Sequence, residues 1–251
     1  MSVVVCTSAK GSPGVSLVSW GLLHCWPRPV VGLEADPAGG SWPLTFGLTS
    51  DPGLMDLAAE QGVVTNEAID RCSTRITQHA QVICAPRESV LTGRALEWID
   101  DRLGAWPDHL DVIADAGRFD MNARHPMLPR ADAIVVCTHT TPAAIGSTAQ
   151  LIAGLDRNIR TDALVRVVTL GSEPYTPLEV VAALGELGGP RLNIKLGAAL
   201  PFDPRLAATL TNGGRKAGKV CSAWFGELAH GLAAATAHRS RETNLSVVGG
   251  A

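Results

Sequence analysis

Val3-Val-Val-Cys-Thr-Ser-Ala-Lys-Gly-Ser-Pro-Gly-Val-Ser16 runs from an apolar stretch through a glycine-containing loop into a segment of helical character. Val3–Cys6 reads as a strand buried on both faces, and a helix opens near Gly14. At such a helix start the backbone N–H groups point outward from the positive end of the helix dipole. A phosphate is the natural ligand there. Ser16 has the placement of a hydroxyl that ligates Mg2+, and the Lys10 ammonium can reach phosphate oxygens. The loop Lys10–Ser16 therefore predicts a nucleoside triphosphate held where strand passes into helix. The pattern G-x-x-x-x-G-K-[ST] is not met, because Val15 stands where it has lysine. On this stretch alone the alternative is an ordinary strand–turn–helix with Gly and Pro serving turn geometry.

Working outward, short apolar runs recur at Val30–Leu33, Gln81–Cys84, Asp111–Ala114, Ala133–Cys137, Leu164–Thr169 and Leu196–Leu200. With Val3–Cys6 they predict about seven strands. Helical stretches lie between most of them, at Gly14–Cys25, Ser89–Leu103, Pro142–Leu155 and Thr176–Leu187, and a last helix is expected over Ser222–His238. Pro142 and Pro177 suit first-turn positions, where a missing N–H costs nothing. Strand–helix alternation predicts an α/β fold, a mostly parallel twisted sheet with helices on both faces. One domain is expected over 1–238, with a flexible tail over 239–251. Pro37–Asn66 reads as the least regular segment.

The chain has 251 residues, 46% hydrophobic and only 4% aromatic, so its core must be mostly aliphatic. Residues 1–150 carry 10 Lys/Arg against 16 Asp/Glu, and residues 151–251 carry 11 against 8. The surplus of cations in the second part leaves open a basic face formed by Arg205, Arg215, Lys216, Lys219, Arg239 and Arg241. Sequence-independent DNA binding is one use for such a face; a solvated surface is the plainer one. The six cysteines form no C-x-x-C pair and several lie in apolar runs, which predicts buried free thiols. The start Met-Ser-Val-Val-Val-Cys has no basic region, and no apolar run approaches the roughly 20 residues that span a bilayer. A cytoplasmic location is expected. Seven histidines without H-x-x-x-H or H-x-x-C spacing count against a metal cluster. The chain also lacks G-x-S-x-G around Ser16 and G-x-G-x-x-G after the first strand, which counts against serine hydrolase and dinucleotide-binding readings.

Lys10-Gly11-Ser12-Pro13-Gly14-Val15-Ser16 resembles the K-G-G-x-G-K-[ST] loop of the deviant P-loop ATPases of the ParA/MinD family. The signature lysine is kept and the second lysine is lost, as often in the CpaE/TadZ branch. Glu34-Ala-Asp36-Pro-Ala-Gly-Gly40 resembles that family's D-x-D-P-x-G segment. Leu110-Asp-Val-Ile-Ala-Asp115-Ala-Gly117-Arg118 resembles its apolar strand ending in an acid. Lys195-Leu-Gly-Ala-Ala-Leu-Pro201-Phe-Asp203 resembles its late G-x-I-P-x-D turn. Many members place an asparagine after the sixth strand to read the base; Val165-Arg166 stands there in this reading.

The resemblance implies ATP and Mg2+ as ligands, with Gly11, Ser12, Pro13, Gly14, Val15 and Ser16 cradling phosphates. Ser16 and Asp115 would hold the metal, Gly117 would approach the γ-phosphate, and Pro201 and Asp203 would lie near the adenine. Asp36 would orient the attacking water, and Lys10 would reach the nucleotide of a second subunit. It implies a homodimer, a slow ATPase switch and a protein cargo or activator. The alternative is an inactive scaffold of the same fold, which Val15 and Glu34 favour. A basic amphipathic membrane helix is not expected, since Ser222–Ala237 contains no Lys or Arg.

Overall fold

The computed structural model describes residues 1–10, 14–60, 63–102, 106–119, 125–155, 159–160, 162–188, 192–211 and 214–248. Its centre is a sheet of eight strands, in chain order β1 (Val3–Ser8), β2 (Val30–Glu34), β3 (Thr74–Arg75), β4 (Ala80–Ile83), β5 (Asp111–Arg118), β6 (Ala133–His139), β7 (Leu164–Leu170) and β8 (Ile194–Leu200). The strands lie in the order β3-β4-β2-β5-β1-β6-β7-β8. All pairings are parallel except β3 with β4. The seven predicted runs fall on the seven parallel strands. The eighth, β3, is two polar residues at the edge and carries no apolar signal.

The helices are α1 (Val15–Cys25), α2 (Trp42–Phe46), α3 (Leu54–Ala59), α4 (Asn66–Arg71), α5 (Ser89–Arg102), α6 (Pro142–Leu155), α7 (Pro177–Leu187), α8 (Pro204–Thr211) and α9 (Gly214–Val248). They sort onto the two faces because alternate strand residues point to opposite sides. Val3, Val5, Val31 and Leu33 join an apolar cluster with α3, α4, α5, α6 and α7. Val4, Cys6 and Val30 join a second cluster with α1, α2, α8 and α9. This two-sided burial is why the strands read as unbroken Val/Ile runs.

Local rules set several boundaries. Pro177 opens α7 behind Thr176, whose hydroxyl accepts from the Glu179 N–H while the Glu179 carboxylate accepts from the Thr176 N–H. Three expectations change. Pro37–Asn66 carries α2 and α3, helices too short to show a 3.6-residue period. Helix α9 begins eight residues before Ser222 and runs past His238 to Val248. Strand β5 continues beyond Asp115 to Arg118: it carries one extra residue where β1 runs from Cys6 to Ser8, and Ser8 pairs with Arg118. All six cysteines are free, five of them buried and Cys25 half-buried. Among the described residues no helix is long and apolar enough to cross a membrane.

Candidate functional site

The carboxyl ends of β1, β2 and β5 meet the start of α1. Gly14 sits at the N-cap of α1 with φ 70°, a left-handed conformation that glycine adopts without strain. Its carbonyl accepts from Val18 N at 2.9 Å, closing the first helical turn. A Cβ at Gly14 would lie 3.2 Å from Leu170 Cδ2, so the loop end rests on the end of β7. Lys10 is exposed at the other end of the loop. Gly11, Ser12 and Pro13 lie outside the described residues. Val15 is 4% exposed and belongs to the apolar cluster beneath α1. Its side chain faces the core from the first turn of α1.

Asp115 stands level with Glu34 on β2 and Cys6 on β1. It is 2% exposed, and donors from three elements surround it. The Gly117 N–H donates to Oδ1 at 3.0 Å and the Trp42 indole Nε1–H donates to Oδ2 at 2.8 Å, and the Ser16 hydroxyl is near enough to favour the charged carboxyl. Burial raises its pKa, and the bonds from Ser16, Gly117 and Trp42 oppose that rise. Ser8, the last residue of β1, buries a hydroxyl with no hydrogen-bond partner among the described residues.

Glu34, 1% exposed, is tied into the same corner. Its Oε1 accepts from the Ser41 and Trp42 N–H groups, the latter at 2.7 Å, and its Oε2 accepts from Ala85 N at 2.9 Å. Burial pushes its carboxyl up to about 7 against those three bonds, and the nearby Asp115 adds to the rise. Glu34 thus fastens the start of α2 to the end of β4. Asp36, two residues on, is half-buried and accepts from Ala38 N at 2.8 Å, an Asx turn into Pro37. Burial raises its pKa too, with Asp115 contributing. Its carboxylate lies on the Cα of Gly117: a Cβ there would fall 2.0 Å from Asp36 Oδ2, at a φ of +56°. Among the described residues no Lys, Arg or His forms an ion pair with Glu34, Asp36 or Asp115.

The remaining predicted residues divide. Pro201 and Asp203 are exposed in the turn between β8 and α8, where Asp203 Oδ1 accepts from Arg205 N at 2.8 Å. Phe202 between them meets His139 edge-on at 5.4 Å and approaches Gly171, the residue after β7. That turn therefore borders the loop end through Leu170. Val165 and Arg166 lie inside β7, not after it; the positions that follow the strand are Gly171 and Ser172. Arg118, the last residue of β5, is exposed. Arg205 and Lys219 are exposed, while the side chains of Arg215, Lys216, Arg239 and Arg241 lie outside the described residues. Trp42 was not singled out from sequence; the only signal was a tryptophan in a chain that is 4% aromatic, placed soon after a D-P-x-G-like turn.

A mostly parallel sheet flanked by helices, with a glycine loop between β1 and α1 and acids on β2 and β5 side by side at Glu34 and Asp115, defines a P-loop-type α/β fold. The fold is that of the ParA/MinD ATPases. A ParA family ATPase from Chlorobium tepidum superposes with a TM-score of 0.66 at 16% identity, over 94% of this chain and 99% of that one. MinD of Pyrococcus horikoshii, solved with Mg-ADP, gives 0.62 at 18% identity over 91% and 94%. A Cyanothece McdA–ATP complex gives 0.63 at 15% identity over 94% and 96%. No family model and no curated protein matches the chain in sequence.

Proposed function

We propose that the protein binds ATP with Mg2+ at the Lys10–Ser16 loop and acts as a slow ATPase switch that dimerises on nucleotide. The observation that carries this reading is the trio Glu34, Asp36 and Asp115. Three clustered acids have raised pKa values, Asp115 among them lies beside Ser16 at the start of α1, and among the described residues none has a cationic partner. Buried carboxylates are ordinarily paired or coordinate a metal, so the corner is one cation short. The donor set fits Mg2+, an oxygen-seeking ion: the Ser16 hydroxyl and Asp115 carboxylate would hold it, directly or through water. Bound there, the ion would neutralise charge on the terminal phosphates. The backbone amides that open α1 bind phosphate oxygens, and the exposed Lys10 is free to extend toward the nucleotide of a second subunit. Asp36 accepts a hydrogen bond from the attacking water and orients it. Solved proteins of this fold hold Mg-ADP and ATP, and one was solved as a MinC:MinD complex, which supports a protein partner as cargo or activator. The output on this reading is positional, in the cytoplasm.

The burial of Val15 favours a second reading, a scaffold that binds nucleotide without turning it over. Calorimetry with ATP and ADP in Mg2+, then turnover on the same sample, separates the two. Tight binding with slow turnover supports the switch. Binding without turnover supports the scaffold. No binding at millimolar ATP overturns both. Lys10→Ala should abolish ATP-dependent dimerisation, and an unchanged dimer fraction would remove Lys10 from its role across the interface.

A further inference from the structure

Trp42 is fully buried, and its ring is fixed from two sides. It meets Trp20 of α1 and Phe46 of its own helix edge-on, each at 6.3 Å between centroids, while Trp20 and Phe46 stack at 3.9 Å. An indole has one polar atom, a donor, and burial obliges it to find an acceptor. Any backbone carbonyl would satisfy it. The acceptor here is Oδ2 of Asp115, 73 residues away in sequence, in the corner that lacks a cation.

The three donors on Asp115 differ in what they report. Gly117 belongs to the same strand and Ser16 to the first turn of α1. Trp42 alone comes from the segment after β2. That segment is held by Glu34 at Ser41 and Trp42, by Gly40 N donating to Pro86 O at 2.7 Å, and by Gly39 N donating to Asp36 O at 3.0 Å. A carboxylate offers about four acceptor positions. The Gly117 N–H takes one on Oδ1 and the indole one on Oδ2, so the indole limits how the carboxyl can turn.

We propose that Trp42 is a positioning residue for this site: its indole N–H fixes the Asp115 carboxylate, so that the cation-facing oxygen is set only when the Asp36–Ser41 turn is closed. This rests on the nucleotide reading above. Removing the N–H while keeping an aromatic ring should lower the gain in ATP affinity that Mg2+ brings and leave Mg2+-free affinity alone. Outer-sphere partners of metal ligands commonly contribute about 10–100-fold to metal affinity.

The test uses the full chain and two titrations, ATP with Mg2+ and ATP with EDTA, on wild type and Trp42→Phe. The expected result is a loss of about tenfold or more in the Mg2+-dependent gain, with EDTA affinity within twofold of wild type. Equal losses in both titrations, or none in either, overturn the proposal and leave Trp42 as packing. Wild type that binds no ATP in either titration overturns the nucleotide reading and the proposal together. Wild type that binds while the variant matches it overturns the proposal alone. Should Trp42→Phe not fold, the indole N–H of wild type is followed by NMR, with Asp115→Asn used to assign it among the six tryptophans. Mg-ATP should slow its exchange and ATP–EDTA should not. The same exchange rate in both states overturns the proposal.

Discussion

Asp111 opens β5 and Asp115 lies four residues along the same strand, and their surroundings match almost group for group. Each is buried, each accepts a backbone N–H on Oδ1 (Ser2 N at 2.8 Å, Gly117 N at 3.0 Å) and each accepts an indole N–H on Oδ2 (Trp26 at 2.9 Å, Trp42 at 2.8 Å). The difference is Arg28. Its guanidinium sits 2.7 Å from Asp111 and also donates to Ala233 O at 2.9 Å, tying β5 to α9. Among the described residues Asp115 has no such ion pair. Asp111 is a completed structural contact; Asp115 repeats its hydrogen-bond pattern without the ion pair. Burying a carboxylate is costly, and the cost is tolerated where a partner arrives. At Asp111 the chain supplies the partner itself.

The sharpest way to break this comparison is to neutralise each acid in turn. Asp111→Asn leaves Arg28 without its anion and should cost about 2–3 kcal/mol, less than a fully buried pair because Arg28 is one-third exposed. For a chain of this size that is a fall of about 5–10 °C in Tm, with nucleotide affinity unchanged. Asp115→Asn should behave oppositely. Relief of a buried charge offsets one mismatched donor, so stability should stay within about 1 kcal/mol while roughly 100-fold of Mg2+-dependent affinity is lost. Thermal melts and titrations with and without Mg2+ read both. If Asp115→Asn destabilises as much as Asp111→Asn, the two acids are alike and the contrast is wrong.

Gly117 sharpens it further. An alanine there would combine a positive φ with a Cβ 2.0 Å from Asp36 Oδ2, and should cost about 2 kcal/mol while displacing Asp36. Turnover should fall more than affinity; the reverse order would argue that Asp36 does not act on the water.

The smallest expected effect concerns Glu34. Its carboxyl is raised from the ordinary 4.5 to about 7, so between those values the folded state holds a proton that the unfolded chain releases. Stability from this group therefore falls as pH rises through that window and levels off above it. Glu34→Gln should flatten the fall, by about 1 kcal/mol between pH 6 and 7. Urea midpoints at several pH values measure it, and an identical slope in both proteins would place the titration elsewhere.

Most of the architecture was legible because the strands are buried on both faces and so form unbroken Val/Ile runs. Asp36 and Asp115 stand out in the sequence because each follows such a run and lies near glycine. Glu34 was read only as a conservative replacement; its role as the anchor of α2 depends on Ser41 and Ala85, which no spacing rule connects. Short helices such as α2 went unread because five residues cannot display a helical period.

The amino-acid sequence alone determined the alternation of strand and helix, the glycine loop before α1 and the acids that follow β2, since each rests on contacts between near neighbours. Tertiary structure decided which groups surround Asp115. The strand order brings β5 between β1 and β2, and only that crossing sets Ser16, Trp42 and Gly117 about one carboxylate. It also turned Val15 into the core, because the cluster it joins is assembled from α1, α2, α9 and the sheet together. Hydrogen bonds across 73 residues depend on how the layers pack, and packing is a property of the whole chain.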